Sequence, residues 1–232
     1  MLIRQLWDSS KFAYICPDDI CLKQMERTYK VFLKHKESIL GENPTLEAKI
    51  GARKEAYDYW RPGSNAAHHF ATANLIKENY DFYFGSTATA PQTAFFFKFL
   101  KDRGYSIRLL HVSAPDDIRW GSIKERDKEF VQTTEADIRD KAKMFPERIQ
   151  DTYLKFADQI DFYYRNEVKG NAIHSAIWIR DPESTDTNKG KLEILESSSY
   201  EKIKELHNSL CKDSNREDIL WEKTVEGSLT KV

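Results

Sequence analysis

The chain has 232 residues, which is enough for one ordinary domain or two small ones. Its 36 basic and 37 acidic side chains nearly balance, which argues against a protein that binds nucleic acid through bulk charge. With 31% charged residues and no apolar run near the roughly 20 residues that span a bilayer, the sequence also argues against an integral membrane protein. Three cysteines without paired C-x-x-C spacing (Cys16, Cys21 and Cys211) indicate reduced thiols and a cytoplasmic location.

The first half of the chain alternates between short apolar runs and stretches with helical spacing. The apolar runs at 11–16, 80–84 and 105–113 predict three strands, and the segments between them predict helices. This order is typical of βαβ units. We therefore expect an α/β fold in which the three strands are parallel neighbours and the helices flank the sheet.

The segment between the first two strands predicts three helices. The spacing of apolar residues predicts a helix over 19–35 and a second over 45–59, which Arg61-Pro62-Gly63 should end. Ser64 or Asn65 is a suitable N-cap for a third helix that runs to about Asn79.

The second half predicts a helical region followed by more strands. Apolar residues from Ile138 to Ile160 fall on one helical face, with a break or restart at Pro146. The runs at 162–164 and 176–179 predict strands, and 200–210 predicts a terminal helix.

Polar side chains follow each of the first three predicted strands at the point where the strand ends. They are Asp18 and Asp19, then Ser86 and Thr87, and finally the segment that leads to Arg119 and Arg126. Because ligands bind at the carboxyl ends of parallel strands, we expect Asp18, Ser86 and Arg119 to lie on one rim.

Each of these groups has a chemical and a structural interpretation. A carboxylate such as Asp18 can accept a proton from a hydroxyl or hold a metal through water, but it can also cap a helix. Ser86 and Thr87 can line a sugar or phosphate site, or cap a helix. Arg119 and Arg126, seven residues apart, can clamp a phosphoryl group or form a solvated face. One of His68 and His69 should face inward, most simply as a core histidine with its hydrogen bonds satisfied.

Five short motifs, in this order, resemble the zeta toxin group of P-loop kinases. The resemblance covers about residues 11–165, and its motifs are Phe12–Ile20, Ala66–His69, Tyr83–Thr87, Lys101–Tyr105 and Val112–Arg119. It implies a P-loop kinase-like α/β fold. It also implies that ATP and Mg²⁺ are used to phosphorylate a hydroxyl of a small molecule, which is UDP-N-acetylglucosamine for the well-known toxins. An antitoxin protein is the implied partner.

The resemblance also implies roles for single residues. Asp18 matches the general base, and Arg119 matches a phosphate-binding arginine. The position of the second arginine falls near Gln132, so Arg126 or Arg139 would have to replace it. Asp19, Ser86 and Thr87 would contact the substrate, and no residue is assigned to a metal. Phe84 stands where many members carry an acidic residue.

The largest departure from the family is the phosphate loop. The sequence contains no G-x-x-x-x-G-K-[ST] motif. The expectation is therefore a zeta-toxin-like kinase domain over 1–170 that lacks its first strand and P-loop, followed by a C-terminal extension over 171–232. One alternative is a non-catalytic descendant that binds a nucleotide sugar or a protein partner. Another is a metal-dependent transferase that uses Asp18-Asp19 or Asp116-Asp117.

Overall fold

The computed structural model describes residues 12–24, 26–126, 135–168, 170–183, 189–213 and 230–231. The chain forms two compact units: Met1–Ser86 with Lys124–Thr134 (unit 1), and Thr87–Ile123 with Glu135–Val232 (unit 2). The boundary predicted after residue 170 falls inside unit 2, between two strands that are hydrogen-bonded neighbours.

Unit 1 places a parallel pair of strands beside helices. In chain order its elements are β1 (Ala13–Ile15), α1 (Pro17–Gln24), α2 (Glu26–Ser38), α3 (Leu46–Lys77) and β2 (Phe82–Phe84). Ala13 lies opposite Phe82 and Ile15 opposite Phe84, and the amide of Gly85 donates to the carbonyl oxygen of Ile15 at 2.8 Å. The prediction of parallel strands within 11–16 and 80–84 is confirmed.

The helix α3 overturns the break predicted at Arg61-Pro62-Gly63. It is continuous over 32 residues, with Pro62 in its interior. Thr45 is the N-cap and its side chain accepts a hydrogen bond from the amide of Ala48, so the prediction of a new start at Ser64 or Asn65 is wrong. Ser64 instead donates its hydroxyl to the carbonyl oxygen of Arg61 at 2.9 Å.

Packing explains why the helix continues. A proline in a helix removes one backbone hydrogen bond and crowds the carbonyl group of the preceding turn. Just before this point, α3 buries Ala56 and Tyr57 against Phe32 and Leu33 of α2. Most helical stability in proteins comes from such packing, so a buried face can carry a helix through an unfavourable residue. The described residues within the helix predicted over 19–35 are helical and belong to α1 and α2, and residue 25 lies outside the described residues.

Unit 2 combines a mixed sheet with helices. Its elements are α4 (Gln92–Lys101), β3 (Arg108–Ser113), α5 (Asp116–Arg126, whose last residues belong to unit 1), α6 (Glu135–Lys143), α7 (Phe145–Arg148), a π-helical turn (Ile149–Tyr153), α8 (Leu154–Phe156), β4 (Gln159–Tyr164), β5 (Ile173–Arg180), β6 (Gly190–Ile194), α9 (Ser197–Asp213) and β7 (Thr230–Lys231). Pro146 does mark a helix restart, as predicted, but the helical region ends at Phe156 and Ile160 belongs to β4.

The strands of unit 2 form one sheet in the order β3-β4-β5-β6-β7. β3 pairs with β4 in parallel, β5 runs antiparallel to both of its neighbours β4 and β6, and β6 pairs with β7 in parallel. The expectation that β3 joins β1 and β2 is therefore wrong, and the described strands form two sheets. The lengths of the connections explain the antiparallel pairing, because only eight residues separate β4 from β5 and nine separate β5 from β6, fewer than the dozen or so that a crossover between parallel strands needs.

The core of unit 2 lies between this sheet and α9. Ile160 and Phe162 of β4 and Trp178 of β5 are buried, as are Tyr200 and Ile203 of α9. The strands predicted at 162–164 and 176–179 and the helix predicted at 200–210 are confirmed. At the coarse level the protein is a mixed α/β structure with a small parallel sheet and a mixed sheet, both flanked by helices.

Candidate functional site

Asp18 lies where β1 ends and α1 begins. The carbonyl oxygen of Cys16 accepts the first backbone hydrogen bond of α1, from the amide of Ile20 at 3.0 Å. Asp18 therefore sits in the first turn of the helix, where the backbone dipoles favour a negative charge. This position is the carboxyl end of a parallel strand, as the sequence predicted.

Two side chains of α3 hold the Asp18 carboxylate. Arg61 forms an ion pair with Asp18 through its Nη1, and the hydroxyl of Tyr57 lies 3.5 Å from Asp18. Both contacts go to Oδ1. The Asp18 side chain is 34% exposed, so a ligand can still reach the carboxylate.

Arg61 is a partly buried cation. Its guanidinium lies 5.5 Å from the centre of the Tyr57 ring, which is a cation–π distance. Burial lowers the pKa of Arg61, and the nearby Cys16 thiol opposes this effect. An arginine remains charged in a protein, so Arg61 can bind an anionic group as well as Asp18.

His68 faces the interior of unit 1, and His69 is exposed, as the sequence predicted for one of the two. The His68 ring contacts that of Phe84, the last residue of β2, with 4.8 Å between the ring centres. Its Nε2 is buried and has no hydrogen-bond partner among the described residues. The expectation of a core histidine with satisfied hydrogen bonds is therefore wrong. Burial, then His69 and Arg61, lower the pKa of His68 to about 4, so its imidazole is neutral at pH 7.

Gly85 lets the ends of β1 and β2 approach each other closely. A Cβ atom at this position would lie 2.8 Å from the Tyr14 hydroxyl and 3.2 Å from the Cys16 sulfur. A larger residue would force Tyr14 and Cys16 to shift, and Cys16 directly precedes α1.

The other predicted substrate residues occupy varied positions. Asp19 is partly buried in the first turn of α1, and Ser86 is exposed just after β2. Thr87 is exposed, and its hydroxyl lies 3.2 Å from that of Thr89.

Arg119 lies in the first half of α5, where it forms an ion pair with Asp116. Its Nε is buried and has no hydrogen-bond partner in the described part of the chain. Arg126 ends the same helix, Arg139 pairs with Glu135 on α6, and Gln132 lies outside the described residues.

The structure does not bring all predicted site residues into one unit. Asp18, Asp19, Ser86 and Arg126 belong to unit 1, whereas Thr87 and Arg119 belong to unit 2. The common rim expected for Asp18, Ser86 and Arg119 therefore spans the two units and stays a prediction.

Sequence reasoning missed Tyr57 and Arg61 as partners of Asp18. The signal that could have found them is the helical phase of α3, because Tyr57, Arg61, Ser64 and His68 lie on one face of a continuous helix. Because the sequence analysis ended the helix at Pro62, it did not place residues before and after Pro62 on a common helix face.

Metal ligation and membrane insertion find no support in the described structure. Residues 12–24, 26–126, 135–168, 170–183, 189–213 and 230–231 contain no group of three or more His, Cys, Asp or Glu side chains that could hold a metal ion. This range includes Asp18-Asp19 and Asp116-Asp117. The same residues include no helix that is long and apolar enough to cross a membrane.

No protein-family model, curated protein or solved structure matches this chain. The resemblance to zeta toxins therefore depends on the sequence motifs alone.

Proposed function

We propose that unit 1 binds a small molecule that carries a hydroxyl and a phosphate, of the nucleotide-sugar class, and that Asp18 forms the acceptor half of a zeta-toxin-like kinase site for that hydroxyl. The observation that carries this proposal is the Asp18 carboxylate, which lies at the carboxyl end of β1 and is held by Arg61 and Tyr57 of α3. A carboxylate fixed in this way is suited to general-base catalysis.

The proposed chemistry uses two groups of this chain. The Asp18 carboxylate takes the proton of the acceptor hydroxyl, which leaves that oxygen as the nucleophile. Arg61 orients Asp18 through Oδ1 and attracts the phosphate of the substrate. Phosphoryl transfer depends mostly on such positioning and on electrostatic stabilisation.

ATP with Mg²⁺ is the phosphoryl donor that the family resemblance implies. The sequence has no G-x-x-x-x-G-K-[ST] loop, which cradles the triphosphate in P-loop kinases. The residues present do not fit the triphosphate, so the mechanism proposed for this chain is confined to the acceptor.

The test measures binding and transfer separately on residues 1–232. We expect UDP-N-acetylglucosamine to bind by calorimetric titration, and Mg-ATP to bind weakly or not at all. Transfer of labelled phosphate from ATP to the sugar nucleotide is measured on the same protein. Where transfer occurs, Asp18→Asn should lower it by about a hundredfold or more with nearly unchanged affinity for the sugar nucleotide.

Asp58→Asn is the matched control, because Asp58 is an exposed carboxylate of α3 that pairs only locally with Lys54. It should leave both affinity and transfer unchanged. If the Asp18→Asn variant transfers phosphate as fast as the wild type, Asp18 is not the general base.

A second candidate function is binding without turnover, either of a nucleotide sugar or of a protein partner such as an antitoxin. The ion pair between Asp18 and Arg61 favours it, because the carboxylate is already neutralised in the absence of substrate. Tight binding of UDP-N-acetylglucosamine without phosphate transfer would support this alternative. Absence of both binding and transfer would contradict both functions.

A further inference from the structure

His68 is the one polar side chain on the buried face of α3 beyond Pro62 whose hydrogen bonding is incomplete in the described structure. Ser64 is fully buried and donates to the carbonyl oxygen of Arg61. Thr72 is 5% exposed and donates to the carbonyl oxygen of His68 at 2.9 Å. His68 is also 5% exposed, but its Nε2 has no partner.

An unsatisfied buried polar atom destabilises a free protein, and such atoms are rare. A ligand that supplies the missing partner removes this penalty. The position of His68 indicates which ligand this is. It lies seven residues after Arg61, two turns along the same face of α3, and its ring contacts Phe84 next to Gly85. His68 therefore shares a helix face with Arg61 and lies against the end of β2.

We propose that Nε2 of His68 forms a hydrogen bond with an uncharged hydroxyl or amide of the sugar, while Arg61 binds the phosphate. This inference rests on the proposed function and extends it, because it assigns the sugar and the phosphate to different residues of α3. The low pKa of His68, about 4, supports the division, since a neutral imidazole suits an uncharged partner and the arginine suits an anion.

The experiment compares UDP-N-acetylglucosamine with UDP, which lacks the sugar, by calorimetric titration. His68→Leu should weaken binding of UDP-N-acetylglucosamine about tenfold and leave binding of UDP nearly unchanged. His68→Gln, whose amide can still form the hydrogen bond, should recover most of the lost affinity. His69→Leu changes the exposed neighbour and should affect neither ligand.

The outcomes separate this inference from the proposed function. If the wild type binds neither ligand, the proposed function is wrong and the inference is wrong with it. If the wild type binds both and His68→Leu binds UDP-N-acetylglucosamine as tightly, only the inference is overturned. Equal weakening for both ligands would assign His68 a structural role and would also overturn it.

Discussion

Gly190 occupies a position at the start of β6 where no side chain fits. A Cβ atom there would lie 2.5 Å from the carbonyl oxygen of Ile179 and 2.5 Å from the Trp178 ring. Both are parts of β5, the neighbouring strand, and Trp178 is fully buried in the core. We expect Gly190→Ala to lower the free energy of unfolding by about 2–3 kcal/mol, because overpacking displaces the core. Urea denaturation followed by fluorescence measures the change.

Gly51 is the control for Gly190, because an added methyl group should stabilise the protein there rather than destabilise it. It lies inside α3, is exposed, and has nothing within 4 Å of an added Cβ. Gly51→Ala should raise the free energy of unfolding by about 0.5–1 kcal/mol, since alanine is the better helix former. Changes of the same sign in both variants would contradict the packing assigned to Gly190.

Arg108 joins β3 to β4 through a buried carboxylate. Asp161 is fully buried, and it accepts two hydrogen bonds from Arg108, at 2.6 and 2.8 Å. We expect Arg108→Ala to lower the free energy of unfolding by about 3 kcal/mol, because it leaves a charge buried without its main partner. The control is Lys98→Ala, which removes an exposed pair with Asp102 and should change stability by less than about 1 kcal/mol. Similar small losses in both variants would show that Arg108 and Asp161 behave as a surface pair.

At the scale of elements, Pro62 is the unfavourable residue of α3. Pro62 is exposed and cannot donate a backbone hydrogen bond to Asp58. We expect Pro62→Ala to raise the free energy of unfolding by about 1–3 kcal/mol, because the lost bond is regained and the chain already follows a helix there. Denaturation monitored by far-ultraviolet circular dichroism is the measurement. A loss of stability would indicate that the proline ring itself packs favourably.

Local patterns were sufficient to predict most single elements of the protein. The apolar runs at β1, β2 and β3 and the helix after each strand follow from residue spacing, which depends only on neighbours in sequence. The pairing of β3 with β4 could not be predicted in this way, because the partner strands are about 50 residues apart and β4 forms antiparallel pairs on its other side.

Only the part of the candidate site that depends on neighbours in sequence could be predicted. Asp18 follows a strand directly, so its place at the sheet end could be inferred from sequence. Tyr57 and Arg61 reach it from a helix about 40 residues later, and only the continuous helix α3 gives them a common face with His68. The helix is continuous because of tertiary packing, which cannot be deduced from the local helix propensity of the sequence.

At the scale of the whole molecule, the chain crosses between the two units more than once. Unit 1 contains the first 86 residues together with Lys124–Thr134, and unit 2 contains the remainder. A division of this kind cannot be seen as a change of composition along the sequence. The substitutions Gly51→Ala and Pro62→Ala act on unit 1, whereas Gly190→Ala and Arg108→Ala act on unit 2.

A histidine in each unit has a pKa far below the usual value. His68 in unit 1 and His111 in unit 2 both have a pKa of about 4, mainly because burial disfavours the charged imidazolium. For His111, electrostatic interactions with His207 and Arg119 add to the effect, and its ring packs against Phe145 and Phe162.

These two histidines should make stability depend on pH between about 4 and 6.5. In this range the unfolded chain, with ordinary histidines, binds more protons than the folded chain, so the free energy of unfolding rises with pH. The stability is present above pH 6.5 and is lost as the pH falls toward 4, by at most about 1.4 kcal/mol per pH unit for each histidine. Urea denaturation from pH 4.5 to 7.5 measures the slope. His68→Leu and His111→Phe should each reduce it, and the double variant should reduce it further. A double variant that keeps the slope of the wild type would show that other groups cause the pH dependence.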